Sequence, residues 1–253
     1  MHNSLPARWA WIGLNALQLV YTAVWTAFCI TLALLVLAAT GGRRRVPLRM
    51  AAWLWAPGLL HGAGATLDVS GLDRVDFAQP CICVANHQSM IDVCALMRAL
   101  PVPVRFLLKE ELGRVPFVGW YARAMGMVFI PRGHARAAVA RLHGVIADVR
   151  AGACLCAFPE GTRGLDGAVG AFKGGAFEVA IAAGVPVVPI ALAGSGRVLP
   201  PAWFRVRPGR IRVCIGDPIP TADLEAHDRH ALARRARDAV IALLAVAGNS
   251  AGA

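Results

Sequence analysis

The sequence predicts an α/β protein: a mixed, mostly parallel sheet flanked by helices, preceded by an apolar helical segment suited to a membrane. Three observations predict it. No residue from Trp9 to Thr40 is charged. From Thr66 onward, short apolar runs alternate with helix-periodic stretches, the pattern of strands joined by crossover helices. Two polar motifs, beginning at Asn86 and at Phe158, each follow an apolar run. That is the strand-end position where open α/β sheets carry their sites.

The chain has 253 residues, 57% of them hydrophobic. That is enough for a membrane-anchoring helical segment over residues 1–62 and an α/β domain over residues 63–253. The formal net charge is +11, and of the 26 basic residues only Lys109 and Lys173 are lysine. Such a balance suits nucleic acid or an anionic membrane surface. The basic residues accompany a long apolar segment, and neither an RNA-binding aromatic motif nor zinc-finger spacing is present. Membrane lipid, not nucleic acid, is therefore the expected partner.

The amino-terminal run comes first. As one straight helix its 32 residues would reach roughly 48 Å, against about 30 Å of hydrocarbon. Its first half carries Asn15, Gln18, Tyr21, Thr22 and Thr26, and its second half, from Phe28 to Ala39, is almost purely aliphatic. Two arrangements stay open: a single span with an interfacial start, or a re-entrant or hairpin arrangement using the second apolar stretch, Met50 to Leu60. Arg43, Arg44, Arg45 and Arg49 follow the run. The positive-inside rule then puts the rest of the chain in the cytoplasm, as for a protein of a bacterial-type inner membrane. A cleaved signal peptide fits poorly, because the run is too long and only Arg8 precedes it.

Thr66 to Val75 reads as a short strand and turn, and Cys81 to Ala85 as the next strand. A helix from Ile91 to Leu100 stops at Pro101. Val104 to Leu108 is a strand ending at Lys109. Glu110 to Gly119 is loop-like, and Trp120 to Met125 is a short helix. Met127 to Ile130 is a strand that runs into Pro131 and Arg132. Ala135 to Val149 is helix-periodic. Cys154 to Phe158 is a strand, Phe172 to Ala183 a helix ended by Gly184, and Val185 to Leu192 and Ile211 to Ile215 are strands. The last helix covers about Leu224 to Val246. The seven cysteines include two Cys-x-Cys pairs inside strands, where residues i and i+2 share a face. They read as small buried hydrophobes in a reducing compartment, not as metal ligands, since tetrahedral Cys-x-x-Cys spacing is missing.

Chemistry begins at His87. An imidazole accepts a proton near neutral pH, and Asp92 falls in the first turn of the following helix, within reach of it. The same residues fit a capping box, with Ser89 at N-cap and Asp92 at N3. A carboxylate has two oxygens, so both roles can hold. The second motif, Phe158-Pro159-Glu160-Gly161-Thr162-Arg163, offers a close backbone approach at Gly161, a hydroxyl at Thr162 and a planar fork for phosphate at Arg163. Glu160 could hold Arg163 or bind an acceptor hydroxyl. In isolation, an exposed turn with a surface arginine is the better account of the motif. Lys109 and Arg132 end strands and could converge on a phosphate, or serve as solvated surface charge. Competing chemistries lack their motifs: there is no Gly-x-Ser-x-Gly elbow, no Walker loop and no His-Glu-x-x-His.

Together these stretches resemble the lysophosphatidic acid acyltransferase family within the glycerolipid acyltransferases. Asn86, His87 and Asp92 match its Asn-His-x-x-x-x-Asp motif, and residues Phe158 to Arg163 its Phe-Pro-Glu-Gly-Thr-Arg motif. Lys109, Glu110, Pro116, Gly119 and Trp120 match a third element. Phe172, Lys173, Gly175, Ala176 and Phe177 match a fourth, and Val185 to Pro189 a fifth. Pro131 stands where many members carry Asp, and Gly164 where Ser is common. The resemblance implies that His87, oriented by Asp92, deprotonates the sn-2 hydroxyl of lysophosphatidate. The alkoxide then attacks the thioester of acyl-CoA or acyl carrier protein, giving phosphatidate for phospholipid synthesis. It implies that Arg132, Glu160, Gly161, Thr162 and Arg163, with Lys109 beside them, hold the glycerophosphate, and that no metal or prosthetic group is needed. The same transfer to another acceptor, such as a lyso-aminolipid, stays open. A non-catalytic lipid-binding protein is the alternative of another class, against which the intact His87, Asp92 and Arg163 argue.

Overall fold

The computed structural model describes residues 5–130, 144–164 and 167–249. The uncharged run forms one helix, α1 (Leu5–Ala39), long and apolar enough to cross a membrane. Gly41 and Gly42, both at positive φ, turn the chain. Helix α2 (Arg45–Met50), a π-helical stretch (Ala51–Trp55) and α3 (Ala56–Gly62) then return along α1. Pro57 lacks the amide hydrogen that the regular ladder would use, which accounts for the irregularity there.

Of the two arrangements the sequence left open, the structure has the hairpin. The Tyr21 hydroxyl donates to the Gly58 carbonyl at 2.9 Å, Trp25 Nε1 to the Trp55 carbonyl at 3.3 Å, and Trp55 Nε1 to Thr26 Oγ1 at 3.1 Å. Partner numbers fall along one arm as they rise along the other, so the arms are antiparallel. Gly58 and Gly62 make the close approach possible. A Cβ at Gly58 would lie 2.2 Å from the Trp25 ring, and one at Gly62 would lie 2.4 Å from the Tyr21 ring.

The sheet that follows contains β1 (Ala65–Ser70), β2 (Ile82–Ala85), β3 (Val104–Lys109), β4 (Val128–Ile130), β5 (Cys154–Ala157), β6 (Val187–Ala193) and β7 (Gly209–Ile215). Among the described residues their order is β1-β7-β6-β2-β5-β3-β4. From β6 to β4 the neighbours are parallel; β7 is antiparallel to β6, and β1 parallel to β7. Central strands β2 and β5 are buried along their whole length, the continuous apolar pattern of a doubly covered parallel sheet.

Alternation along the strands divides the core. Cys81, Cys83, Cys154, Cys156, Ile190 and Leu192 face the layer that holds α3, α4 (Ile91–Ala99) and α5 (Val118–Ala124). Ile82, Val84, Leu155 and Ala191 face the other layer, which holds α6 (residues 144–150), α7 (Gly175–Ala183) and α9 (Arg229–Asn249). Gly184 ends α7 in the left-handed conformation, and its amide returns to the Ala180 and Ile181 carbonyls.

Several boundaries differ from the expected ones. Helix α7 starts at Gly175, not Phe172, because Lys173 N–H is drawn to the Pro159 carbonyl at 3.0 Å. The last helix starts at Arg229 after a capped turn at Ala226–Asp228. A short helix, α8 (Ser195–Val198), follows β6 where no helix was expected. Glu110–Arg114 is a 3₁₀ turn. Pro131, Arg132 and the first part of the stretch from Ala135 to Val149 lie outside the described residues.

Candidate active site

Strands β2, β5 and β3 are neighbours and parallel, so their carboxyl ends share one edge of the sheet. His87 follows β2, Glu160 to Arg163 follow β5, and Lys109 ends β3. Three motifs separated by up to 76 positions in the chain are thereby brought to one end of the sheet.

His87 is held from four sides. Its Nδ1 lies 2.8 Å from Asp92 Oδ2. Its ring stacks on Phe158, centroids 4.0 Å apart at 16°, and Phe158 stacks in turn on Phe106 at 6.0 Å. Its amide donates to Glu160 Oε1 at 2.8 Å, and its carbonyl accepts from Gly164 N–H at 2.8 Å. Next to it, Asn86 is pinned to β6: its Nδ2 donates to the Leu192 carbonyl, and its Oδ1 accepts from Leu192 N–H.

Asp92 is fully buried. Besides the imidazole, its Oδ2 accepts the amides of Gln88 and Ser89, both at 2.7 Å. An acceptor so placed fixes the tautomer with hydrogen on Nδ1 and leaves Nε2 as the basic nitrogen. The expected capping box is only half present. Helix α4 begins at Ile91, as expected, but with Met90 and not Ser89 at N-cap. Asp92 does reach back to Ser89 N–H, but the Ser89 hydroxyl donates to the Leu199 carbonyl at 2.6 Å and accepts from Ile91 N–H at 3.3 Å. The serine is committed to the 199 segment instead of the third amide of the helix.

Glu160 is also buried, and both of its oxygens are engaged, Oε1 by His87 N–H and Oε2 by Gly170 N–H at 2.9 Å. It braces the second motif against the first. Gly161 is at φ +72°, and a Cβ there would lie 2.6 Å from Lys173 Nζ. The Lys173 ammonium thus sits over the turn, a cation that the site reading of the sequence left out. Thr162, Arg163 and Lys109 are exposed at the same end of the sheet. Arg132 lies outside the described residues. Phe158 and Asn86 were read as motif letters only; their work, stacking and pinning, shows only once β2, β5 and β6 are adjacent.

An apolar cavity of about 530 Å³ opens beside this end of the sheet. Met90, Ile91, Arg163 and Leu199 line it together with Phe106, Tyr121 and Ala122, and Thr22, Cys29 and Ala33 line it from α1. Cys83, Cys94 and Cys154 do not compete with His87 as the reactive group. Sulfur-to-sulfur hydrogen bonds, then burial, raise Cys83 and Cys154 well above the ordinary thiol value. Burial and the Asp92 charge push Cys94 up to about 12. At neutral pH these groups stay protonated and poorly nucleophilic.

Residues 66–193 match the family model described as Acyltransferase. The chain is 38% identical over 168 residues to the chloroplastic 1-acyl-sn-glycerol-3-phosphate acyltransferase BAT2 of Brassica napus, covering 66% of this chain and 48% of that one. It is 31% identical over 219 residues to the human 1-acyl-sn-glycerol-3-phosphate acyltransferase beta, covering 83% of this chain and 77% of that one. Among solved structures it resembles the 1-acyl-sn-glycerophosphate acyltransferase PlsC of Thermotoga maritima, with a TM-score of 0.74 and 25% identity over 90% of this chain and 94% of that one. The chain spans about half the length of the plant and algal relatives it matches, 48%, 43% and 43%.

Proposed function

The chain belongs to the acyltransferase family, and from that premise we propose that it transfers an acyl group from a thioester to the sn-2 hydroxyl of lysophosphatidate. The observation that carries the reading is the 2.8 Å contact between His87 Nδ1 and the buried Asp92 carboxylate. It leaves Nε2 to take the hydroxyl proton as the oxygen attacks the thioester carbonyl. The tetrahedral intermediate collapses by expelling the thiolate, which takes the proton back from the imidazolium. The balance is one ester and one free thiol, with no enzyme-bound acyl group and no metal or prosthetic group.

Arg163 at the cavity's edge, Lys109 at the end of β3 and Lys173 over Gly161 supply the positive charge that suits a phosphomonoester. Thr162 adds a hydroxyl, and Gly161 leaves the backbone accessible. Arg132, which follows β4 in the chain, completes the proposed set. The apolar cavity suits an acyl chain. Helix α1 and the arginines after it suit an assembly held at a membrane with the sheet on the cytoplasmic side. Acyl-CoA and acyl carrier protein are both chemically competent donors.

The test is acyl transfer by the purified protein in detergent, with lysophosphatidate and each thioester donor. His87→Ala should lower turnover by about 10²- to 10⁴-fold while the protein stays folded by circular dichroism. Near-normal turnover by that variant would sink the mechanism. Equal rates on acceptors without a phosphomonoester would favour a lyso-aminolipid or related acceptor instead.

A further inference from the structure

The segment 199–208, Leu-Pro-Pro-Ala-Trp-Phe-Arg-Val-Arg-Pro, is unexplained by the reaction alone. Its side chains alternate. Trp203 is 73% exposed, and Arg205 and Arg207 are exposed with it. Phe204 and Val206 between them are half-buried and line the cavity. The backbone is tied down at several points. Arg207 N–H donates to the Val198 carbonyl at 2.8 Å, and Arg205 N–H to the Trp203 carbonyl at 2.9 Å. Val206 N–H donates to Asn15 Oδ1 on α1 at 2.8 Å. Asn15 Nδ2 donates to the Trp11 carbonyl, and Trp11 and Ile12 are exposed in that turn. At its start, the Leu199 carbonyl holds the Ser89 hydroxyl of the catalytic motif.

An exposed tryptophan followed by two arginines on the same face, beside an exposed apolar turn of α1, has the chemistry of a membrane interface. Indole settles among headgroups, and guanidinium attracts anionic lipid. We propose that Trp203, Arg205 and Arg207 form a second contact with an anionic lipid surface, separate from the α1 hairpin, at the mouth of the cavity. Phe204 and Val206 of the same strip wall the cavity, and Trp203 lines it too. The contact therefore places the cavity's opening at headgroup depth, where a single-chain phospholipid resides. A water-facing loop gains nothing from a tryptophan at this exposure, and the chain's net charge of +11 complements an anionic surface. The inference rests on the proposed reaction only for the second of its two readouts.

The first readout is quenching of tryptophan by lipids brominated on their acyl chains, in phosphatidylcholine vesicles with and without phosphatidylglycerol. The difference between the unaltered protein and Trp203→Phe isolates the indole at 203. Quenching of that component with phosphatidylglycerol present, weakened in the Arg205→Ser/Arg207→Ser double variant, is expected. An unquenched component means that the strip faces water or a protein, and a component quenched equally without phosphatidylglycerol means bilayer contact that does not depend on anionic lipid; either overturns the proposal. The second readout is KM for the acceptor. The double variant should raise it about fivefold in phosphatidylglycerol vesicles and leave it unchanged in neutral micelles. Equal changes in both would overturn the proposal. Absence of turnover by the unaltered protein in either format would instead overturn the acyl-transfer reading and leave the quenching result standing.

Discussion

Asp92 Oδ2 accepts three hydrogen bonds in a fully buried position, two from backbone amides and one from the imidazole. An asparagine could keep an oxygen there for the amides, but it would remove the negative charge that, in the proposed reaction, steadies the imidazolium. Asp92→Asn should therefore lower kcat by about 10²-fold or more, measured at saturating donor and acceptor. Ser89→Ala removes only the hydroxyl bonds to Leu199 and Ile91. It should cost about 1–3 kcal/mol in thermal unfolding and less than tenfold in kcat. Equal losses in kcat would break this division between aiming and holding. The histidine and aspartate were legible in the sequence because their contact spans only five positions. The brace from Glu160 to His87 N–H was not, because it joins residues 73 apart. No local pattern distinguishes a carboxylate that binds substrate from one that binds a neighbouring turn.

Most elements were legible from period and punctuation. The buried runs of β2 and β5 and the stop at Gly184 have local causes, and they fell where expected. The changed cap of α4 and the displaced start of α7 have tertiary causes, since Ser89 is drawn to Leu199 and Lys173 N–H to Pro159. The amino-terminal hairpin is the instructive case. Hydropathy alone served one long span and a pair of packed helices equally, because both need an uncharged surface. What decides for the pair is complementarity, with Gly58 admitting the Trp25 ring and the Gly58 carbonyl accepting the Tyr21 hydroxyl. Gly58→Val would drive its side chain into that ring. It should destabilise the hairpin by about 1–3 kcal/mol, with faster proteolysis at the turn around Gly41 and Gly42. An unchanged cleavage rate and thermal midpoint would show that the two arms do not depend on this contact.

At the scale of the molecule, the motif that begins at Asn86 and α1 both line the cavity, so the proposed chemistry and the proposed acyl-chain seat belong to one structure. Ala122 of α5 is 3% exposed and lines the cavity, as do Phe106 and Tyr121. Ala122→Phe would take up part of that volume without altering Met90, Ile91 or Arg163. A long acyl donor would then lose the seating of its last carbons, and a short one would lose nothing. Each methylene that can no longer leave water forfeits about 0.8 kcal/mol. Excluding four of them amounts to ~3 kcal/mol, or about a hundredfold in the ratio of kcat/KM for long against short donors. Overpacking carries its own cost to stability of about 1–3 kcal/mol, so thermal unfolding must accompany the kinetics to exclude a partly folded enzyme. The ratio is insensitive to the fraction folded, because both donors meet the same enzyme population. A folded variant whose rates fall equally for long and short donors would show that the cavity does not seat the acyl chain. A ratio that falls with chain length would identify α5 as the element that measures it.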